Sequence, residues 1–500
     1  MNKINYLVFR WITLCSCIIF LSSCASSKLN PISLPTESAT APTHSSLWQE
    51  LELIRSDDWF YLLNDGASAL EWRIRAIDSA TESIDFQTFL WDLDTAGKLI
   101  LDHIFEAAKR GVRVRLLMDD TFLLGSNNIT ESIMGHPNIE YRIFNPYKRR
   151  TDSVTTRELL NLGEFHRLDH RMHNKAMIVD NRAAIIGGRN IADEYFGLHS
   201  SANFRDMELL TGGPIVQTIS DGFDQYWNDH WSFPVNYLTS SSPADDPIKF
   251  ESNTKLETEQ TRKKEWMDIL ENAHEGIPVL LLDDPPPKDF TQWEPKQLSE
   301  KIINLIDSAN EKILIVSAYL IPTQEFELAV KRAKLRGIDI RILTNSIRSN
   351  NHLTAHSAYR QHIHQILSHG AYLHETRIDA KDRHLYIQSP VENKMLALHA
   401  KAMTVDNDKV FIGSANFDPR SLKINSEMGL LVHSQTLNKQ VNDAFSLDMR
   451  LENAWTLQIS ETGDVQWVSD KEILNHQPVH SFMQQIEDWL FSLLPIEDEM

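Results

Sequence analysis

The amino-acid sequence predicts an α/β protein built from two pseudo-symmetric domains, each with a mixed β-sheet flanked by helices. The first observation is a long-range repeat: residues 110–117 (RGVRVRLL) match residues 336–343 (RGIDIRIL). These strings begin 226 residues apart (336 − 110), and His173 and His399 have the same separation (399 − 173). Two unrelated segments that share one offset indicate two copies of one fold unit.

The second observation is that each copy alternates strand and helix. In the first copy, residues 83–90 and 112–118 have the pattern of strands, and residues 95–110 between them have a helical apolar period that ends at Gly111. The second copy repeats this order, with a strand over 312–318, a helix over 323–336 and a strand over 338–344. Strand–helix–strand units predict parallel or mixed sheets with helices outside.

The segments outside the repeat have different compositions. A short basic start and an apolar run over 11–21 are typical of a secretory signal, although an uncleaved membrane anchor is the alternative. Polar stretches rich in Ser, Thr and Pro follow over 25–45 and recur over 239–263. The predicted organisation is a signal peptide over 1–23, a flexible tether over 24–47, a first domain over 48–238, a linker over 239–270 and a second domain over 271–500, with an amphipathic helix over 482–493 near its end.

The end of the apolar run has a recognisable sequence. Residues 21–24, Leu-Ser-Ser-Cys, resemble the lipobox of bacterial lipoproteins. This resemblance implies cleavage before Cys24 and attachment of a lipid to its thiol. We therefore expect a protein of the bacterial cell envelope that is anchored to a membrane, with the inner and outer membranes both open.

Composition excludes several kinds of chemistry. The formal net charge of the 500 residues is −20, which disfavours binding to nucleic acid. The three cysteines are Cys15, Cys17 and Cys24, so the body of the protein has no disulfide, no thiolate metal site and no cysteine nucleophile.

Two copies of one motif carry the candidate chemistry. The first is HNKAMIVD over 173–180, and the second is HAKAMTVD over 399–406. A histidine and a lysine two residues apart on a strand point to the same face. Each motif is followed by a second apolar strand, which leads to a Gly-Gly or Gly-Ser pair and an asparagine, Asn190 or Asn416. Small residues there allow a ligand to approach the backbone closely.

This pattern resembles the phospholipase D superfamily, and the resemblance covers both halves and most of the chain. Longer strings, among them GGRNI over 187–191 and NFDPRS over 416–421, resemble bacterial cardiolipin synthases, most closely the type C branch. The resemblance implies two phospholipase D-type domains with one active site at their interface. It also implies that no metal or other cofactor is required.

The resemblance also implies a role for each motif residue. In the family, the N-terminal histidine is usually the nucleophile, so His173 would form a phospho-histidine and His399 would act as acid and then as base. Non-bridging phosphate oxygens would be held by a set of lysine, asparagine and serine side chains: Lys175, Lys401, Asn190, Asn416 and Ser414. The motif carboxylates, Asp180 and Asp406, are expected to brace the catalytic site rather than to titrate in it.

Each histidine needs a group that selects its tautomer. The candidates are Asp206 and Glu427, which lie 26 and 21 residues after the aspartates of the two motifs (206 − 180 and 427 − 406). A surface salt bridge is the alternative role for each.

The leading hypothesis is a phosphatidyltransferase that makes cardiolipin from phosphatidylglycerol and a second phospholipid. Its expected partners are the bilayer and its phospholipids, a small accessory protein by resemblance to the type C branch, and no nucleic acid; a monomer is expected. The alternatives are a phospholipase D that uses water as the acceptor, a nuclease of the same fold, and a non-catalytic envelope binding protein. Complete motifs in both halves argue against the last of these.

Overall fold

The computed structural model describes residues 28–39, 45–121, 130, 133, 135–151, 153–238, 256–288, 290, 296–350 and 352–479. The predicted signal peptide, Cys24 and the predicted helix over 482–493 lie outside these residues. Among the helices that are described, none has both the length and the apolar character needed to cross a bilayer.

The first domain is a mixed sheet with helices around it. Its strands are β1 Trp59–Leu63, β2 Ser83–Thr88, β3 Arg113–Asp119, β4 Ile139–Phe144, β5 Ala176–Val179, β6 Ala183–Gly187, β7 Ala202–Arg205, β8 Glu208–Gly212, β9 Ser232–Pro234 and β10 His274–Glu275. Its helices are α1 Ser46–Ile54, α2 Gly66–Ser79, α3 Thr95–Lys109, α4 Val154–Leu160, α5 Phe165–Asp169, α6 Ile215–Trp227 and α7 Glu259–Asn272. All these strands except β7 form one sheet, in the order β10-β1-β8-β6-β5-β2-β3-β4-β9.

The second domain repeats this plan. Its strands are β11 Ile277–Asp283, β12 Lys312–Ser317, β13 Asp339–Asn345, β14 Tyr372–Thr376, β15 Met395–Leu398, β16 Lys401–Val405, β17 Lys409–Gly413, β18 Met428–His433, β19 Ala454–Ile459, β20 Val465–Val468 and β21 Ile473–Leu474. Its helices are α8 Lys296–Asp307, α9 Gln324–Leu335, α10 Leu353–Ser368 and α11 Gln435–Asp448. The sheet order is β11-β18-β17-β16-β12-β13-β14-β19-β20-β21.

Both sheets have the same arrangement around their centres. Strands β2, β3 and β4 are parallel, as are β12, β13 and β14. The motif strands β5 and β16 pair antiparallel with β2 and β12. The predicted α/β fold with two matched domains and mixed sheets is therefore confirmed.

Local sequence explains where the repeated elements begin and end. Helix α3 follows Asp94, whose carboxylate accepts a hydrogen bond from the Gly97 backbone N–H at 3.0 Å. After α3 the backbone turns at Gly111, where φ is 97°, a conformation that glycine adopts without strain. Gly337 has the corresponding role after α9, with a φ of 84°.

The two sheets share a hydrophobic core, which holds the domains together. Alternate residues of β5 face different sides: Met177 and Val179 lie in the core of the first domain, and Ile178 lies in the shared core. The second domain contributes Val316 and Ile412 to the shared core, and apolar residues of α6 and α11 fill it. Strands β7 and β15 also pair across the two halves as a separate parallel ribbon.

The segment expected to be a linker, over 239–270, contains a helix that packs on the first domain. Helix α7 occupies its C-terminal part, and Trp266 of this helix is fully buried in the core of the first domain. Its ring lies edge-on to Trp48 and Trp72, with centroids 5.1 and 5.2 Å apart, and its Nε1–H donates to Ser79 Oγ at 2.9 Å. Strand β10 then adds to the edge of the first sheet. Residues up to Glu275 therefore pack with the first domain, because Trp266, Ile269 and Leu270 form a buried apolar stripe on an otherwise strongly polar helix.

Replacing Trp266 with alanine is expected to lower the free energy of unfolding by ~3–5 kcal/mol, since a large aromatic side chain would leave a cavity. Asp268→Ala, at an exposed position of the same helix, is the matched control. Denaturant unfolding of both variants measures the difference. Equal stability of the two variants would contradict the assignment of α7 to the first core.

The segment predicted as a flexible tether differs from the expectation over residues 28–39. Glu37 forms ion pairs with Arg113 and Arg142, and its backbone carbonyl accepts from Asn228 Nδ2 at 2.7 Å. Nearer the N-terminus, the Leu29 N–H donates to Glu164 Oε1 at 3.1 Å. This stretch is therefore bound along the first domain, because polar groups of that domain satisfy backbone groups at residues 29, 32 and 37.

Candidate active site

The two motif histidines come together where the domains meet. The backbone N–H of His173 donates to the carbonyl of Ser426 at 2.9 Å, and that of His399 donates to the carbonyl of Arg205 at 2.8 Å. Each histidine is thus attached to the backbone of the other domain. The two lie just before β5 and β16, beside the carboxyl ends of the central strands β2 and β12.

Each histidine is paired with a carboxylate from the other half of the chain. His173 Nδ1 lies 2.9 Å from both carboxylate oxygens of Glu427, and His399 Nδ1 lies 2.6 Å from Asp206 Oδ2. Both carboxylates are buried. The structure therefore brings together the four residues that the sequence singled out, in a crossed arrangement that sequence spacing did not reveal. A carboxylate at Nδ1 leaves Nε2 of the neutral ring free to act as a base or nucleophile.

Burial and neighbouring charges shift the pKa of each of these four groups. Burial lowers the pKa of His173, and it lowers that of His399 to about 3, with Lys401 contributing further. For Glu427, burial acts to raise the pKa, but His173 and Lys175 outweigh it and the pKa is lowered. Burial also acts to raise the pKa of Asp206, but His399 and Lys401 outweigh it and hold this pKa well below its usual range. Near neutral pH the site therefore contains neutral imidazoles beside ionised carboxylates.

The motif lysines are buried next to the histidines. Lys175 Nζ donates to the His173 carbonyl at 2.7 Å, and Lys401 Nζ donates to the His399 carbonyl at 2.5 Å. Burial lowers the pKa of Lys175 to about 7 and that of Lys401 to about 8. Two ammonium groups held in a buried site would attract an anionic phosphodiester.

These pKa values predict that kcat/KM falls as pH rises through about 7 to 8, because the free enzyme then loses the charge on its lysines. A bound phosphodiester stabilises the ammonium groups, so the fall in kcat should occur at higher pH. Rate profiles for kcat and kcat/KM over pH measure both. A Lys175→Arg variant, which stays charged, should lose the lower of the two transitions if it remains active. A kcat/KM that stays flat through neutral and mildly alkaline pH would contradict the prediction.

Aromatic rings surround the histidines unequally. The ring of Phe89 lies edge-on to His173 with centroids 4.9 Å apart. His399 contacts two rings, Tyr195 and Phe204, at 5.0 and 5.2 Å. The sequence analysis missed all three, although Phe89 follows a central strand directly, and such a position at the carboxyl end of a sheet is a common place for site residues. The additional aromatic contact at His399 excludes water more fully and accords with its strongly lowered pKa.

Asn190 and Asn416 are buried near the motifs. Among the described residues, neither side-chain Oδ1 atom has a hydrogen-bond partner. Asn190 Nδ2 donates to the Tyr195 hydroxyl at 2.8 Å. A half-turn of this amide would let the hydroxyl donate to Oδ1 and would leave the NH2 group for a phosphate oxygen. Both asparagines thus have unused hydrogen-bonding capacity, which a ligand could satisfy.

Ser414 was expected to bind phosphate, and the structure gives it a different partner. Its hydroxyl donates to Glu427 Oε2 at 2.5 Å and accepts from the Met428 N–H at 3.0 Å. The corresponding residue in the first motif is Gly188, where an added Cβ would lie 2.6 Å from Asp206 Oδ1. The two halves therefore hold their carboxylates differently. Glu427 is bound by the Ser414 hydroxyl, whereas Asp206, which has the shorter side chain, lies directly against the backbone at Gly188.

The two motif aspartates lie at the other end of their strands. Asp180 accepts hydrogen bonds from Trp48 Nε1 and from the backbone N–H groups of residues 81–83, and Asp406 accepts from those of residues 310–312. A strand of seven steps from His173 to Asp180 spans ~23 Å. Both aspartates therefore lie away from the histidines, and each joins its strand to the loop before the neighbouring strand, a position that suits the bracing role expected of them.

The comparisons with known proteins agree with this geometry. A family model described as "Cardiolipin synthase, PLD-like domain" matches residues 74–227 and 302–449. The chain belongs to this family of phospholipase D-like enzymes. Both matched segments contain one motif, so the duplication read from the sequence is the duplication of the family's domain.

Relatives of this family resemble the chain over most of its length. Cardiolipin synthase C of Escherichia coli is 32% identical over 452 residues, which are 87% of this chain and 94% of the relative. The major cardiolipin synthase of Bacillus subtilis is 25% identical over 79% of this chain and 70% of the relative. Among solved structures, phosphatidylserine synthase of Haemophilus influenzae has a TM-score of 0.56 at 14% identity, and it covers 91% of this chain and 100% of its own. That likeness concerns the fold alone.

Proposed function

We propose that this member of the cardiolipin synthase family transfers a phosphatidyl group between phospholipids and makes cardiolipin from phosphatidylglycerol and a second phospholipid. The observation that carries the proposal is the pair of histidines, each joined to a carboxylate of the other domain, with two buried lysines between the domains. Membership of the cardiolipin synthase family supports the choice of lipids.

The first half-reaction would begin at His173. Its neutral Nε2 attacks the phosphorus of the donor lipid, while Glu427 at Nδ1 stabilises the imidazolium that forms. His399 protonates the leaving alkoxide, and the negative charge of the bound phosphodiester raises the pKa of this histidine toward the range in which it can donate. The product of this step is a phosphatidyl-histidine and a free alcohol.

The second half-reaction reverses these roles. His399, now neutral, removes the proton from a glycerol hydroxyl of phosphatidylglycerol, and the resulting oxygen attacks the phosphatidyl-histidine. Lys175, Lys401, Asn190 and Asn416 would hold the non-bridging oxygens through both steps. The bond to His173 breaks, cardiolipin is released, and the enzyme returns to its starting protonation state without a metal or other cofactor.

We also propose that a lipid on Cys24 holds the enzyme at a membrane of the cell envelope, as the lipobox-like sequence suggests. Because one chain contains both halves of the site, we propose that the enzyme acts as a monomer. A small accessory protein would bind outside the catalytic site. Fractionation of cells distinguishes attachment to the inner membrane from attachment to the outer membrane.

The test uses purified full-length protein in vesicles of phosphatidylglycerol, with and without phosphatidylethanolamine, and mass spectrometry of the lipid products. His173→Ala is the inactive control, and His384→Ala, at an exposed histidine, is the matched one. Cardiolipin that disappears only in His173→Ala supports the proposal. Phosphatidic acid as the sole product would indicate that the protein is a phospholipase D and not a transferase. No lipid product from the unaltered protein would contradict both, and nucleic acid would be tried next.

A further inference from the structure

A short row of large apolar side chains is exposed on the first domain, on the segment that leads to His173. Leu159, Leu162 and Phe165 are 62%, 57% and 52% exposed. They lie on α4, on the 3₁₀ turn Leu162–Glu164 and on α5, which follow one another almost without a break. We call these three side chains the apolar ridge.

The burial pattern shows that the ridge lies on the outer face of these helices. Arg157, Asn161, Glu164 and Leu168 are buried at helical spacing, whereas the ridge residues recur every third position between them. Three neighbouring apolar side chains that point outward mark an interaction surface rather than a core.

Basic groups border the ridge. The exposed Lys28 and Lys148 are joined by a hydrogen bond from Lys148 Nζ to the Lys28 carbonyl at 2.9 Å. Arg149 is linked to the ridge helices through Asn161, which accepts from its N–H at 3.1 Å and donates to its carbonyl at 2.9 Å. We call Lys28, Lys148 and Arg149 the basic strip. Positive charge beside apolar side chains, on a chain with a net charge of −20, is complementary to an anionic bilayer.

The N-terminal segment enters the described structure at the same place. The Leu29 N–H donates to Glu164, between the ridge residues Leu162 and Phe165. Cys24 lies four residues before Lys28, and four residues span at most ~14 Å. A lipid on Cys24, or an uncleaved apolar segment over 11–21, would therefore hold this surface close to the bilayer.

The same helices are joined to the catalytic site. Asn145 Nδ2 donates to the carbonyls of Arg167 and His170, at 2.8 and 2.7 Å, and the Asn145 carbonyl accepts from Arg171 at 2.8 Å. His173 lies two residues after Arg171. The helices that carry the ridge are therefore connected through polar contacts to the segment that leads into His173.

We propose that the apolar ridge and the basic strip form the surface that docks on an anionic phospholipid bilayer, so that His173 faces the membrane from which its substrates come. The proposal rests on the proposed function for its choice of substrate, but the docking itself can be tested separately. The ridge enters the headgroup region, and the strip contacts lipid phosphates.

The first experiment places benzoylphenylalanine in place of Leu162 in the full-length protein, in vesicles of phosphatidylglycerol and phosphatidylethanolamine. Leu335, which is 81% exposed on α9 of the second domain, is the matched control position. Irradiation should give lipid adducts at position 162 and none at position 335. Equal lipid labelling at both positions, or crosslinks from position 162 to a second copy or another protein, would overturn the proposal.

The second experiment compares Leu162→Asp with Leu335→Asp on vesicles and on a short-chain phosphatidylglycerol dissolved as a monomer. A charge on the ridge should lower vesicle turnover about tenfold or more, the equivalent of losing one buried leucine, and should leave monomer turnover unchanged. Leu335→Asp should match the unaltered protein on both. An equal loss on both substrates, or no loss on either, would overturn the proposal. If the unaltered protein turns over neither substrate, the proposed function fails, and the crosslinking result still decides the docking.

Discussion

Asp206→Asn is expected to lower kcat by about 10³-fold or more, although Asp206 belongs to the opposite half of the chain from the histidine it contacts. The carboxylate lies 2.6 Å from His399 Nδ1. An amide in its place removes the charge that stabilises the imidazolium and can hold the ring in the wrong tautomer; the corresponding change in a serine protease costs about 10⁴.

The measurement is kcat at saturating phosphatidylglycerol in mixed micelles. Asp221→Asn, at an exposed position of α6, is the matched control and should behave like the unaltered protein. Thermal unfolding of both variants separates loss of chemistry from loss of fold. A folded Asp206→Asn protein with full activity would show that the pairing across the domains has no part in the reaction.

The second large effect concerns the different roles of the histidines. His173→Ala and His399→Ala should each lower turnover of phosphatidylglycerol by about 10⁴-fold or more, since nucleophile and acid act as one unit. A phosphatidyl ester of p-nitrophenol should separate them, because its leaving group departs without a proton. His399→Ala should then release one equivalent of nitrophenol and retain a phosphatidyl group on His173.

Mass spectrometry of the quenched protein locates that adduct. His173→Ala should release no burst and carry no adduct. An adduct on His399 in the His173→Ala protein would reverse the assignment of nucleophile and acid, and would agree with the more strongly lowered pKa of His399.

Much of this architecture could be predicted from the sequence, because the informative patterns are local and occur twice. The strand–helix–strand units around Gly111 and Gly337 depend on apolar period and on helix termination, which neighbouring residues determine. The repeated histidine and lysine motifs identified the candidate site for the same reason. The family comparison then agreed with the reading of the duplication.

The remaining features depend on contacts between distant segments. The crossing of Asp206 to His399 and of Glu427 to His173 follows from how the domains face each other, and residue spacing within one copy does not contain that information. The sequence could not show that the Ser414 hydroxyl donates to Glu427, since a hydroxyl next to a glycine could equally donate to a substrate phosphate. The polar composition around Trp266 concealed a helix that is held by only a few buried apolar side chains, among them Trp266, Ile269 and Leu270.

The crossed pairing also determines when the protein can become active during its synthesis. The first domain is complete at Glu275, yet His173 still lacks Glu427, which is made about 150 residues later (427 − 275 = 152). Asp206 is present from early on, but its histidine arrives only with the second domain. A chain that ends before His399 therefore contains neither histidine–carboxylate pair, and one that ends before Glu427 contains only the pair of Asp206 and His399. Both halves must therefore be translated and joined before the two pairs of the proposed reaction are complete, so we expect products that end before His399 to be inactive toward phospholipids.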